Sequence, residues 1–178
     1  MIKYVALLRG IGPSNPNMHQ RKLAGVLEEL GFSNVHGVIS SGNVIFESIS
    51  NDAKILEDKV EQAWPEQLGF NSTTIIRNQE QLQSIVDADP FRGLTHGRTS
   101  YLLVTFFKNP AKLPFKLPYQ PPNKPYKLIS EVDGAIFTVT DSSRIPTTDL
   151  MTWLEKQFGK DITSRTYLTV QRILRKMG

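Results

Sequence analysis

Hydrophobic residues in the first 77 positions fall into six groups, and the groups change period from one to the next. Lys3 to Arg9 is a short apolar run with no polar alternation, the pattern of a buried strand. Leu23, Val26, Leu27 and Leu30 recur at i, i+3, i+4 and i+7, which predicts one apolar stripe of a helix. Asn17 is placed to cap that helix, with Gln20 three residues on, and Gly31 to end it. Val35–Ser40 and Asn43–Glu47 are β-type runs joined around Ser41-Gly42, a hairpin pattern. A second helix opens at Ser50 or Asn51, with Leu56, Val60 and Ala63/Trp64 inward and Pro65 near its end. Glu57, Asp52 and Asp58 are expected to be ordinary first-turn or exposed helix acids. Ser72–Arg77 is a further strand. The order is β-α-β-β-α-β, that of a ferredoxin-like unit.

In the second half, Asn78 caps a third helix with Gln81 at capping-box spacing, and Leu82, Ile85 and Val86 face inward. Tyr101–Phe107 is rich in strong β formers. Six prolines between Pro110 and Pro125 argue against a continuous helix. Lys127–Val132 and Ala135–Thr140 flank Asp133-Gly134, a strong hairpin signal. Leu150, Trp153, Leu154 and Phe158 predict a helix. Tyr167, Val170, Ile173, Leu174 and Met177 predict another. The half therefore reads β-loop-β-β-α-α, an imperfect echo of the first. The expected fold is α+β, with two ferredoxin-like subdomains packed together. Residues 1–77 form the first. Residues 78–178 form the second, irregular one, with a proline-rich loop at 109–126. Lys3–Arg9 and Tyr101–Phe107 lack a polar face, so both faces of each strand should be covered.

Composition narrows the classes. The 178 residues suit one domain or two small ones. No apolar run is long enough to span a bilayer, and the N-terminus does not read as a secretory signal. With no cysteine, thiolate chemistry and cysteine-ligated metals are excluded. A soluble, cytoplasmic protein is the expectation. The net charge of +4 is uneven along the chain. Residues 1–89 hold 7 Lys/Arg against 11 Asp/Glu (−4), and residues 90–178 hold 14 against 6 (+8). Such a skew can attract polyanions, or it can be a solvated surface.

Leu7-Leu8-Arg9-Gly10-Ile11 occurs together with Leu27-Glu28-Glu29-Leu30-Gly31-Phe32, Asn34-Val35 and Ser41-Gly42-Asn43-Val44-Ile45-Phe46. On these segments the chain resembles the bacterial domain of unknown function 1697 family, most specifically over the first 47 residues. The resemblance implies an α+β protein of two ferredoxin-like subdomains, and it implies no activity. Two departures stand out. The family's Asn-Val-Gly-Gly and basic stretch is here Gly12-Pro13-Ser14-Asn15-Pro16-Asn17. Its Thr-x-Arg-Asn-Trp-Asn-Thr-like segment is here Thr163-Ser164-Arg165-Thr166-Tyr167-Leu168-Thr169.

The ferredoxin-like order brings the end of the first strand to the same sheet edge as the turn between the second and third. Arg9, Gly10, Gly12, Asn15 and Asn17 would then lie beside Ser40, Ser41, Gly42 and Asn43, with a helix N-terminus nearby. Oriented backbone donors of this kind suit a small anionic or nucleotide-like ligand, and Arg165 is a candidate to join them. The same residues also suit plain turns and caps. Arg165, Tyr167, Arg172, Arg175 and Lys176 form the alternative, a nucleic-acid surface in which cations meet phosphate and Tyr167 stacks. An enzyme with scattered residues is the second alternative, with catalytic residues unknown.

Gly10-Ile11-Gly12 lacks the rest of a dinucleotide fingerprint. His19, His36 and His96 have no metal-ligand spacing, and there is no Gly-x-Ser-x-Gly. No metal, cofactor or membrane partner is expected. A homodimer through exposed edge strands is open. Pro118-Tyr119-Gln120-Pro121 and Pro122-Asn123-Lys124-Pro125 read as a connecting loop before they read as a peptide ligand.

Overall fold

β1 (Ile2–Leu8) is buried along nearly its whole length and sits inside a four-stranded antiparallel sheet. The computed structural model describes residues 1–39 and 42–178. The first sheet adds β2 (Ser33–Gly37), β3 (Asn43–Ser48) and β4 (Thr74–Asn78) in the order β2-β3-β1-β4. β1 and β2 thus run parallel with β3 antiparallel between them. Helices α1 (Gln20–Glu29) and α2 (Ala53–Leu68) cover one face. Tyr4, Ala6, Leu8, Val44, Phe46 and Ile76 meet Leu23, Val26, Leu27, Leu56, Val60 and Trp64 there. Val5, Leu7, Ile45 and Ile75 point to the opposite face and are buried as well, because successive side chains alternate across the pleat.

The second sheet has the same plan. β5 (Tyr101–Phe107), β6 (Tyr126–Val132), β7 (Ala135–Thr140) and β8 (Ile162–Thr166) are ordered β6-β7-β5-β8, all antiparallel. α4 (Thr147–Phe158) packs Leu150 and Leu154 on Leu103, Phe107, Leu128 and Ile136. Both sheets carry the ferredoxin-like strand order, so the fold is α+β with two such subdomains. α3 (Gln79–Asp87) follows β4, and α5 (Tyr167–Met177) follows β8. The chain divides into two units, one of Met1–Leu82 with Arg172–Gly178 and one of Gln83–Gln171.

Several local expectations hold. Asn78 and Gln81 form a reciprocal capping box, each side chain accepting the other's backbone N–H at 2.9 Å. Asp133 and Gly134 both take positive φ, +48° and +72°, as a two-residue hairpin turn with the strands' own twist requires.

Others are corrected. The sequence pattern places no element between the last two helices, and β8 stands there. Its sequence, Ile-Thr-Ser-Arg-Thr, has only one large apolar residue, and pairing with β5 makes it a strand. Asn17 does not cap α1. Pro16 opens a short 3-10 turn, Pro16–Met18, which Asn15 caps by accepting the Asn17 N–H at 2.9 Å. His19 then breaks to an extended conformation, and α1 starts at Gln20. α2 runs through Pro65 to Leu68 and stops at Gly69 in the left-handed region. Its N-cap is Asp52, which accepts from the Lys54 and Ile55 amides. Glu57 is buried, where an exposed acid was expected. It accepts the Ile76 N–H at 2.9 Å. β2 and β3 pair antiparallel as the hairpin pattern predicts, but β2 spans Ser33–Gly37 where Val35–Ser40 was the expected run.

The proline-rich segment stands where a crossover helix would be, and it is packed. Ala111, Leu113, Phe115 and Leu117 lie against the second core, while the intervening Lys112, Pro114, Lys116 and Pro118 are exposed. Phe115 stacks on Tyr119 at 4.1 Å, and both rings adjoin Trp153 of α4. Tyr119 and Leu128 exchange backbone hydrogen bonds of 2.8 Å, fastening the segment to β6.

Candidate functional site

The loop leaving β1 touches the connection between β2 and β3. The Leu8 amide donates to the Gly42 carbonyl at 2.9 Å. Gly42 has φ +78°, and a Cβ there would stand 2.8 Å from Ile11 Cγ1 and 3.1 Å from Leu8 Cβ. Glycine is therefore required twice at this position, for its backbone angle and for the close approach. On the other side, Gln20 Nε2 donates to the Ile39 carbonyl, and its side chain fills the space a Cβ on Gly37 would need. Ile39 itself has φ +57°, an unusual conformation for a β-branched residue. The exit of β1, the start of α1 and the β2–β3 connection are thus tied together.

They enclose a cavity of about 280 Å³. Ile11, Pro13 and Met18 give it an apolar wall, and Gly12, Asn15, His19, Gln20 and Gly42 complete it. His19 and Gln20 are the N-cap and first residue of α1, and His19 makes no side-chain cap bond. That end of α1 carries the helix's partial positive charge. Among the described residues, His19 is the one titratable side chain lining the cavity.

Of the residues the sequence singled out, Gly12, Asn15 and Gly42 line this cavity. Gly10 precedes it in the loop and is exposed. Arg9 belongs to the sheet end, its amide donating to Thr73 and its carbonyl accepting from Ser72 Oγ at 2.7 Å. Asn17 is turned away, donating to the Leu68 carbonyl and accepting from Lys22 Nζ. Asn43 is buried and closes the β2–β3 connection by donating to the Val38 carbonyl. Ser40 and Ser41 lie outside the described residues. Ile11, Pro13, Met18, His19 and Gln20 were missed. The signal for the last two was Pro16, which shifts the helix start to the residues that border the cavity.

Arg165 lies on β8 in the other unit, half-buried. Its Nη1 donates to Thr163 Oγ1 and to the Ser164 carbonyl, both at 2.8 Å. Desolvation pulls its guanidinium pKa down to about 10. Arg77 has the same register in the first sheet. Arg77 pairs with Val5 at the middle of β1, and Arg165 pairs with Val104 at the middle of β5. Tyr167 is buried with its ring edge against Phe91, so it offers no stacking platform. Arg172, Arg175 and Lys176 are exposed on the last turns of α5.

The charge skew along the chain does not survive folding. The unit formed by residues 1–82 and 172–178 holds 10 Lys/Arg and 9 Asp/Glu, net +1. The other unit holds 11 and 8, net +3. Among the described residues no group of three or more His, Asp or Glu side chains could hold a metal ion. None of the described helices is long and apolar enough to cross a membrane.

Comparison with known proteins agrees with this architecture. The chain is similar over 99% of its length to the conserved bacterial protein SP0830 from Streptococcus pneumoniae, of which 99% is covered. The TM-score is 0.72 and the identity 21%, a likeness of fold. No curated protein sequence matches. The family model described as "Protein of unknown function (DUF1697)" matches residues 1–126. With most of its length covered by that model and both sheets in ferredoxin-like order, the chain belongs to the DUF1697 family.

Proposed function

We propose that this protein binds a small anionic or nucleotide-like ligand in the cavity between the β1 exit loop and the β2–β3 connection. The observation that carries the reading is the meeting of Gly42 and Ile11 over about 280 Å³ of space beside the first turn of α1. Ile11 and Met18 supply apolar surface for a ring. The opening residues of α1, with Asn15 and Gln20, supply donors for an anionic group. An apolar wall with a few convergent polar groups is the usual make-up of a small-ligand site.

The test is calorimetric titration with AMP, adenosine and inorganic phosphate. AMP is expected to bind more tightly than either part alone. Ile11→Trp places bulk in the cavity and is expected to abolish the heat. Ile11 is only half-buried, so the fold should tolerate the change. Flat titrations of the unmodified protein with all three compounds would sink the reading.

A further inference from the structure

We infer that the last two turns of α5 and the outgoing end of β2 form a second site, one that takes the phosphodiester backbone of a single-stranded nucleic acid. Arg172, Arg175 and Lys176 are spaced i, i+3, i+4 and so project from one side of the helix. All three are exposed, and among the described residues no acid is within ion-pair distance of any of them. They line an open cavity of about 510 Å³, whose other wall is Gly37, Val38 and Ile39. A second cavity of about 460 Å³ shares Lys176 and passes from His36 of β2 over Ile45 and Glu47 of β3 to Lys3 of β1. The two make a trough beside α5 that starts at the end of β2 and crosses the sheet toward β1.

Helix polarity does not account for this arrangement. Arg175 and Lys176 stand in the last turn, where cations meet the negative end of a helix. Arg172 is a turn earlier, beyond the reach of that effect. Lys3 already donates to the Met177 carbonyl at 2.8 Å, so the helix end is partly neutralised from the sheet side. The three cationic heads are left to face the trough. Glu47 is the one acid among the described lining residues, and it sits at the far end.

Three cations spaced along one side of a helix suit a chain of phosphates better than one compact anion. A flexible single strand can bend to follow such a trough, whereas a duplex is stiff over this length. Ile39, 37% exposed, offers apolar surface to a base. The described lining holds no Phe, Tyr or Trp, so recognition is chiefly electrostatic and tolerant of sequence.

The experiment is fluorescence anisotropy with a labelled single-stranded oligothymidylate, using the full chain. The affinity should fall roughly tenfold or more over a fourfold rise in salt, as neutralising about three phosphates implies. The triple variant Arg172→Gln, Arg175→Gln, Lys176→Gln should bind at least tenfold more weakly. A control variant, Lys112→Gln, Lys116→Gln, Lys160→Gln, removes the same charge elsewhere and should stay close to the unmodified protein. Glu47→Gln should tighten binding, which guards against loss through misfolding. No anisotropy change at low salt overturns the inference. So does equal weakening by both triple variants, duplex binding as tight as single-strand binding, or displacement by stoichiometric tripolyphosphate. These substitutions leave the cavity at Gly42 untouched, so this test and the AMP titration can fail separately.

Discussion

The Glu57 carboxylate accepts the backbone N–H of Ile76 at 2.9 Å, and one turn further along α2 Glu61 does the same for Thr74 at 2.8 Å. β4 is an edge strand, and these two amides point away from β1. The fit is metric. Residues four apart on a helix are separated by about 6 Å, and residues two apart on a strand by about 6.6 Å. An edge that would otherwise invite another strand is thereby closed by side chains. Glu57→Leu leaves the Ile76 donor buried without a partner and is expected to cost about 1–3 kcal/mol. Glu57→Gln keeps an acceptor and should cost less. Urea unfolding checks this. The midpoint should fall in the order Gln then Leu with an unchanged slope.

Gly42 and Gly37 should respond differently to alanine. At Gly42 the new Cβ meets Ile11 and Leu8 and the backbone stays in the left-handed region, so a loss of about 1–2 kcal/mol or more is expected. The same change crowds the cavity wall. At Gly37 the obstacle is the flexible Gln20 side chain, which can swing away and lose one hydrogen bond, about 1 kcal/mol. Equal destabilisation of the two variants would contradict this account.

Tyr126 sets an alkaline limit. Its phenol is buried and faces Asp149, whose charge and hydrogen bond add to desolvation in raising its pKa well above 10.0. The unfolded phenol ionises first, so the unfolded state holds fewer protons above about pH 10 and stability falls as pH rises further. Below that the contribution is complete. Tyr4, Tyr101 and Tyr167 are shifted the same way, so Tyr126→Phe should shrink the alkaline loss without removing it. Urea midpoints at about pH 9 and about pH 11 measure the difference.

Phe115 anchors the proline-rich segment between Tyr119 and Trp153. Phe115→Ala should cost roughly 2–3 kcal/mol, less than a fully buried phenylalanine. Trypsin should then cut at Lys112 and Lys116, exposed positions held in an extended, packed segment. Unchanged resistance to cleavage would mean that the segment is fastened mainly through its Tyr119–Leu128 bridge.

Much of the fold is legible because it is written in local periods. The stripe at Leu23, Val26 and Leu27, the box at Asn78 and Gln81, and the turn at Asp133-Gly134 each express a rule acting over a few residues. The inward alternation Ala111, Leu113, Phe115, Leu117, Tyr119 was equally present, masked by the prolines beside it. β8 was hidden for another reason. Its five residues carry little hydrophobic signal, and only the vacant edge of β5 calls for a strand there. With β8 in place the second half completes the plan of the first, down to Arg77 and Arg165 opposite the central valines. At the candidate site, Gly12, Asn15 and Gly42 were legible as turn residues. Met18, His19 and Gln20 depended on where α1 begins.

The amino-acid sequence by itself determined most of the elements, the β-α-β-β-α-β order of the first half and the edge at which β1 and the β2–β3 connection meet, since these follow from residue period and sheet topology. Tertiary structure alone decided which polar groups are left to face a cavity. Asn17 and Glu57 are consumed by backbone partners 51 and 19 residues away. Residues 172–178 return to the first unit and turn its acidic excess into a net charge of +1. Such pairings depend on distances in space between segments remote in sequence, and a local pattern carries no record of them.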